Sequence, residues 1–362
     1  MILGGCGKGT ENTSGETAQA DGLTVVTSFY PVYLLAANVT DGVEGVTLKN
    51  MTQPQTGCLH DYELTTEDMK TLEGADVLFI NGLGMESFMD KVMGQYPDLF
   101  IVDTSTGSVT LAGDDHGHAH EGEEDGEEEV NAHIWLNPSN GVKQAEVICD
   151  ALSQADPANA DKYAANTATF AESMESVIAQ AEAINAAPGT EVAVFHEGFP
   201  YLTDLCGLEV GFGIYADENE EPSAKEMAEA AEEIKEDGIK LLLAADDAGM
   251  KYAETLAAET GATVVELNPI TSGELNKDVY RLGMERNLQI VIRYERRNEH
   301  ADTQQLWAMQ HYLKRHTGSQ RTGHPVGQHQ FAVSLRGADS SYREKWRRQN
   351  YIIKSHFGRA TL

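Results

Sequence analysis

The sequence predicts an α/β protein of two (β/α) lobes with parallel sheets, joined by one long rigid helix. Three observations carry that prediction. Short β-branched runs alternate with apolar-periodic stretches from residue 23 to about 102, and the alternation restarts at residue 191. Between the two series, apolar or aromatic positions recur at Tyr163, Thr167, Phe170, Met174, Val177, Ala181 and Ile184, spaced alternately by four and three residues. Strand–helix alternation implies a parallel sheet covered by helices, and two such series imply two sheets. The stripe between them is that of an amphipathic helix.

In the first series, Leu23 to Phe29 reads as a strand, and Pro31 opens a helix to about Thr40. Val46 to Lys49 is a short strand. Thr65-Thr66-Glu67-Asp68 offers an N-cap with an acid at its third position, ahead of a helix ending near Gly74. Ala75 to Ile80 is a buried-type strand, Glu86 to Met93 a helix and Leu99 to Val102 a strand. The connecting helix should run from about Ala158 to Ala187, a rod of ~45 Å, bounded by Asp156-Pro157 and Pro188-Gly189. In the second series, strands fall at Glu191 to Phe195, Glu209 to Tyr215, Leu241 to Ala245 and Thr263 to Leu267. Helices fall near Tyr201 to Cys206, Ser223 to Glu236 and Met250 to Thr260.

The 362 residues hold 26 Lys+Arg against 58 Asp+Glu, a formal charge of −32. So acidic a chain excludes nucleic acid and anionic membrane surfaces as partners, since both are polyanions. The excess is uneven. Residues 1–292 carry a net −40, whereas 293–362 carry +8, with 10 Arg, half of the 12 His and two of the three Trp. The domain plan is therefore a tether at 1–22, a first lobe at 23–150, the linking helix at 151–188, a second lobe at 189–292 and an anomalous basic tail at 293–362. The tail lacks a helical or strand period apart from a weak helix over Leu306 to Leu313. It is expected to be disordered or frameshift-derived, with the preceding helix breaking off at Ile290-Val291.

No apolar run approaches the roughly 18 residues of a membrane span. Leu3-Gly4-Gly5-Cys6 looks like a bacterial lipobox, which would make Cys6 a lipidation site and the membrane anchor. The charged and apolar parts of a signal peptide do not precede it, so the start is expected to be truncated. Cys58, Cys149 and Cys206 have no CxxC spacing and are expected as small core residues, with no disulfide inferable. Residues 114–129 contain nine acids, three His and three Gly, and should form a solvated loop. Its alternating His116, His118 and His120 suit either a low-affinity zinc collector or an inert linker.

Three other histidines stand in connections at strand ends or just before helices: His60, His133 and His196. Ligands of open α/β sheets bind at that edge. Two imidazoles would come from the first lobe and one from the second, so a cleft between lobes could gather them. Neutral imidazole suits Zn²⁺, with a carboxylate or water completing a tetrahedron. Each alone is more often an ordinary hydrogen-bonding residue than a ligand; three so similarly placed bring the two readings level, and spacing takes the choice no further.

The segments around them resemble the metal-ligand motifs of the cluster A-I substrate-binding lipoproteins of zinc and manganese ABC importers. They are His60-Asp61-Tyr62-Glu63-Leu64-Thr65, His133-Ile134-Trp135-Leu136-Asn137-Pro138 and Phe195-His196-Glu197-Gly198-Phe199-Pro200-Tyr201, in family order. The resemblance covers about residues 23 to 292, closing with Tyr280-Arg281-Leu282-Gly283-Met284-Glu285-Arg286-Asn287-Leu288. It implies two lobes with the metal bound between them and His60, His133 and His196 as ligands. Manganese receptors of the family have a Glu at the position of His196, so the three-imidazole set implies Zn²⁺ over Mn²⁺. The fourth ligand is open between Glu274, which follows the last strand, and water. The implied function is high-affinity capture of extracytoplasmic Zn²⁺ for an ABC transporter permease, by a monomer anchored to the outer face of the cell membrane, or in the periplasm of a diderm. The implied role is not enzymatic. Two alternatives stand beside it: a manganese receptor of the same family, and a zinc hydrolase using three His and a water. Against the hydrolase, there is no HExxH helix and no obvious general base.

Overall fold

The computed structural model describes residues 22–54, 58–59, 62–113, 130–184, 189–215 and 222–316. The chain divides into two compact units. The first lobe comprises residues up to Glu175 together with Ile270–Leu282. The second comprises Ser176–Pro269 and the chain from Gly283 onward.

The first lobe is built from β1 (Leu23–Thr27), α1 (Tyr30–Val39), β2 (Val46–Asn50), α2 (Thr66–Leu72), β3 (Val77–Ile80), α3 (Met89–Gln95), β4 (Phe100–Asp103) and α4 (Pro138–Ala155). Its four strands are all parallel, in the order β2-β1-β3-β4. The inner strands are buried, with Val25, Val26, Val77, Leu78 and Phe79 at 1% exposure or less. A parallel strand covered on both faces has to be apolar throughout, which is why these runs do not alternate. Edge strand β2 does alternate between half-buried and exposed.

Helix α4 was not anticipated from the sequence, although its signals are present. Asn137 caps it, its Oδ1 accepting from the Ser139 N–H at 2.9 Å. Pro138 occupies the first turn, where its missing N–H costs nothing. Ala145, Ile148, Cys149 and Leu152 then form its buried stripe. Helix α5 (Ala160–Glu182) follows a 3₁₀ turn at Pro157–Asn159. It has 23 residues, a rod of ~35 Å rather than ~45 Å. Tyr163, Thr167, Phe170, Met174, Val177 and Ala181 are all buried, so the stripe was read correctly. The division between lobes falls within this helix.

The second lobe repeats the pattern with β5 (Glu191–Phe195), α6 (Phe199–Leu205), β6 (Glu209–Gly213), α7 (Ala224–Glu236), β7 (Leu241–Ala244), α8 (Asp246–Thr260) and β8 (Thr263–Glu266). The strands are parallel, in the order β6-β5-β7-β8. Phe195, Ile234, Leu242, Tyr252 and Leu256 pack with Ala193, Ala230, Ala231, Ala244 and Ala253 as its core. Helix α8 stops at Gly261, whose left-handed φ of +76° lets its N–H reach the Ala257 carbonyl at 2.8 Å.

The last helix, α9 (Val279–His316), does not break at Ile290-Val291. It runs through residues 293–316 of the basic tail, including the weak Leu306 to Leu313 segment. The loss of apolar period ended the helix in the sequence reading, but those residues contain neither Gly nor Pro and the backbone continues. Residues 317–362 lie outside the described residues. Among the described residues, no helix is long and apolar enough to cross a membrane.

Candidate metal centre

His133 lies just ahead of the 3₁₀ turn Ile134–Leu136 that leads into α4. It is only 2% exposed, with its ring 5.0 Å from that of Trp135. Asn131 Oδ1 accepts from the His133 main-chain N–H at 3.0 Å and lies 3.0 Å from the ring Nδ1. An atom accepting that amide hydrogen must be the oxygen, so Nδ1 is the donor of the second contact. The neutral ring therefore keeps its lone pair on Nε2, the arrangement that a metal-ligating histidine needs. Cys58 Sγ lies 3.4 Å from this Nε2.

The segment carrying His133 is fixed by a buried polar chain. Asn81, at the end of β3, donates to the Ala132 carbonyl at 2.9 Å. Gln144 of α4 donates to Asn81 Oδ1 at 3.2 Å and to Thr104 Oγ1 at 2.9 Å. Thr104 in turn donates to the Ile80 carbonyl at 2.8 Å. Asn81, Gln144 and Thr104 are each 0% exposed, so these bonds are made without competition from water. Below Asn81, the Glu86 carboxylate accepts from Ser28 Oγ, from the Asn81 N–H at 2.7 Å and from the Gly82 N–H at 3.1 Å. Gly82 has φ +88°, and a Cβ there would meet Asp103 Oδ1, so only glycine fits this loop. Burial pushes the Glu86 carboxyl up to about 7, against the pull of its three donors and with Asp103 adding to the rise. Trp135 is held from both sides. Its ring meets Phe29 edge-on at 5.3 Å, and its carbonyl accepts from the Tyr280 hydroxyl at 2.7 Å.

His60 lies outside the described residues, but its flanks do not. Leu59 is fully buried, and the Tyr62 N–H donates to the Leu59 carbonyl at 3.2 Å. The Tyr62 hydroxyl donates to Asp68 Oδ2 at 2.7 Å. Asp68 is also the third residue of α2, closing the expected capping box with Thr65. Tyr62 is thus tied to the start of α2. Glu274 is exposed; the contact that fixes it is its carbonyl, which accepts from the Tyr30 hydroxyl at 2.7 Å. His116, His118, His120 and Cys6 lie outside the described residues.

In the second lobe, His196 follows β5 directly and its ring lies 5.2 Å from that of Phe199. Its Nδ1 accepts from the Gly198 N–H at 3.0 Å.

The sequence reading missed Asn131, Asn81, Gln144 and Glu86, which hold the site rather than form it. Isolated Asn, Gln and Glu have no spacing rule that marks them. The sequence predicts Cys58, like Cys149 and Cys206, to be a small core residue. Those two are buried at 8% and 1%, whereas Cys58 is half-buried and faces a candidate ligand.

Comparison with known proteins agrees with this picture. A zinc-binding protein AdcA of Streptococcus pyogenes is 30% identical over 277 residues, covering 71% of this chain and 52% of that protein. The chain thus spans about half the length of this relative. The Zn(II)-bound structure of AdcA from Streptococcus pneumoniae matches with a TM-score of 0.62 at 26% identity, over 75% of this chain and 57% of that one. The Mn²⁺ complex of FpvC from Pseudomonas aeruginosa matches with a TM-score of 0.67 at 25% identity, over 76% of this chain and 99% of that one. The family model described as zinc-uptake complex component A, periplasmic, matches residues 25–293, ending where the charge of the chain changes sign. With two parallel-sheet lobes and the histidine motifs inside the matched span, this chain belongs to that family.

Proposed function

We propose that this chain is an extracytoplasmic receptor that captures Zn²⁺ and hands it to the permease of an ABC importer, without performing catalysis. The observation that carries the proposal is His133. It is buried, its Nδ1 is committed to Asn131, and its Nε2 lone pair faces the Cys58 thiol at 3.4 Å. His60, His133 and His196 jointly hold one zinc ion, and Glu274 and water are the candidates for its fourth position. Membership of a family described as a zinc-uptake component supports the cargo. The acidic stretch 114–129, with His116, His118 and His120, collects cations at low affinity. Cys6 carries the lipid that keeps the receptor, a monomer, at the outer face of the membrane. Residues 293–362 stand outside this working part, and their frameshift origin is tested by translating the other frames of the gene.

Calorimetric titration of the metal-free protein with Zn²⁺ should show one tight site besides weak binding to the acidic loop. With residues 114–129 deleted, replacing His60, His133 and His196 by Ala should abolish it. Stoichiometric zinc retained by that variant would overturn the assignment. The Mn²⁺-bound neighbour gives manganese a hearing. Three imidazoles favour Zn²⁺, whereas Mn²⁺ prefers carboxylate oxygens. Competition between the two ions for the metal-free protein decides the cargo.

A further inference from the structure

Resting on the zinc-receptor reading, we infer that Cys58 is itself a metal ligand, a thiolate that takes the fourth position in place of Glu274 or water. Cys58 Sγ and His133 Nε2 are 3.4 Å apart. A tetrahedral zinc ion with Zn–S of about 2.3 Å and Zn–N of about 2.0–2.1 Å holds its sulfur and nitrogen about 3.6 Å from each other. The two donor atoms already stand at bridging distance, and neither side chain has to travel.

Both partners are also held. His133 is fixed through Asn131, Trp135 and the Asn81–Ala132 bond. Cys58 adjoins Leu59, which is fully buried and whose carbonyl accepts from the Tyr62 N–H. Half-buried, Cys58 is open enough for a cation to arrive, which Cys149 and Cys206 are not. The thiol of Cys206 is moreover pushed up to about 12, chiefly by burial, so it stays protonated. Without metal, Cys58 and His133 are placed for an S–H···N contact. On binding, the S–H bond breaks, its proton goes to water, and a sulfur lone pair forms the bond to the metal.

The consequence is selectivity. A thiolate is a soft donor that favours zinc and disfavours manganese, so Cys58 reinforces the choice made by the imidazoles. No CxxC pattern announces it, because its partner donor is a histidine 75 residues away in the chain.

Cobalt(II), which takes zinc sites and is coloured, tests this with the reduced full-length chain. The wild type should bind Co²⁺ stoichiometrically with a thiolate-to-cobalt charge-transfer band in the near ultraviolet. Cys58→Ser should lose that band while keeping the visible d–d bands of bound cobalt. Its zinc affinity should fall at least the ~10-fold that even the outer partners of metal ligands contribute, with a smaller change for Mn²⁺. A variant lacking the other thiols, Cys6→Ser/Cys149→Ala/Cys206→Ala, should keep the band. Bound cobalt without a thiolate band in the wild type overturns the ligand assignment and leaves the receptor reading intact. A band that survives Cys58→Ser overturns it equally. Failure of the wild type to bind Co²⁺ or Zn²⁺ at all removes the receptor reading itself.

Discussion

The two lobes share a strand order but not a way of holding a histidine. In each, the first strand of the lobe lies between the second and the third, and the fourth closes the far edge. In the first lobe the ends of β3 and β4 lead into a buried network of Asn81, Thr104, Gln144 and Glu86 that reaches the segment bearing His133. In the second lobe one buried cluster is made of alanine, leucine and isoleucine with two aromatics, and His196 follows β5 with a backbone amide on its Nδ1. Parallel-sheet topology delivers a residue to the strand's end in both cases. In the first lobe the ring is oriented through a side-chain acceptor, Asn131, backed by this buried network.

The contrast is broken most strongly at Trp135. Trp135→Ala should cost roughly 3–5 kcal/mol in denaturant unfolding, through cavity formation and loss of the Phe29 contact. It should weaken zinc binding as well, because the His133 ring loses its neighbour. A variant that unfolds like wild type would show that the network alone supports the first lobe.

Next in size is Glu86. Its carboxyl titrates at about 7 in the folded chain and near 4.3 when unfolded. The folded state therefore binds the proton more tightly, and stability should fall as pH rises from about 4.5 through about 7, by at most ~3 kcal/mol. Glu86→Gln should flatten that part of the metal-free stability profile relative to wild type. No counterpart is expected from the second-lobe core, whose buried cluster contains no acid. Parallel pH profiles for the two proteins would refute the account.

Asn131→Ala acts on function more than on folding. With the Nδ1 acceptor gone, zinc affinity should drop about 10- to 100-fold in calorimetry. The far-ultraviolet circular dichroism should stay that of the wild type. Undiminished affinity would mean that the tautomer is held by something else.

The smallest effects come from one motif used twice. Thr65 and Ser223 both close capping boxes, with Asp68 and Glu226. Alanine at either position should cost about 1 kcal/mol. Only Thr65→Ala should also weaken zinc binding, since Asp68 anchors Tyr62, two residues after His60 in the chain. Equal zinc affinity in the two variants would separate the α2 cap from the site.

How much of this was readable beforehand follows from what kind of signal each residue leaves. Strands such as Glu191–Phe195 and the buried stripe of α5 were legible because burial imposes a period. His60, His133 and His196 were legible as motif members, and His133 is buried with its Nδ1 held by Asn131. Helix α4 is harder to read because Asn137 and Pro138 serve both in the histidine motif and as its N-cap and first turn. The continuation of α9 went unread because a helix can persist without an apolar face when its residues merely permit it. Cys58 and Asn131 leave no trace in one dimension, since their meaning lies in distances of 3.4 and 3.0 Å to a single ring.

Helix α9 also dictates when folding is completed. The Tyr280 hydroxyl reaches back 145 residues to the Trp135 carbonyl. Asn287, fully buried, pairs with both the N–H and the carbonyl of Asn268. A chain emerging from its N-terminus can assemble both sheets early, yet neither lobe gains these ties until α9 has appeared. A nascent chain halted just before α9 would hold every candidate zinc ligand and still lack the closing bonds of both lobes.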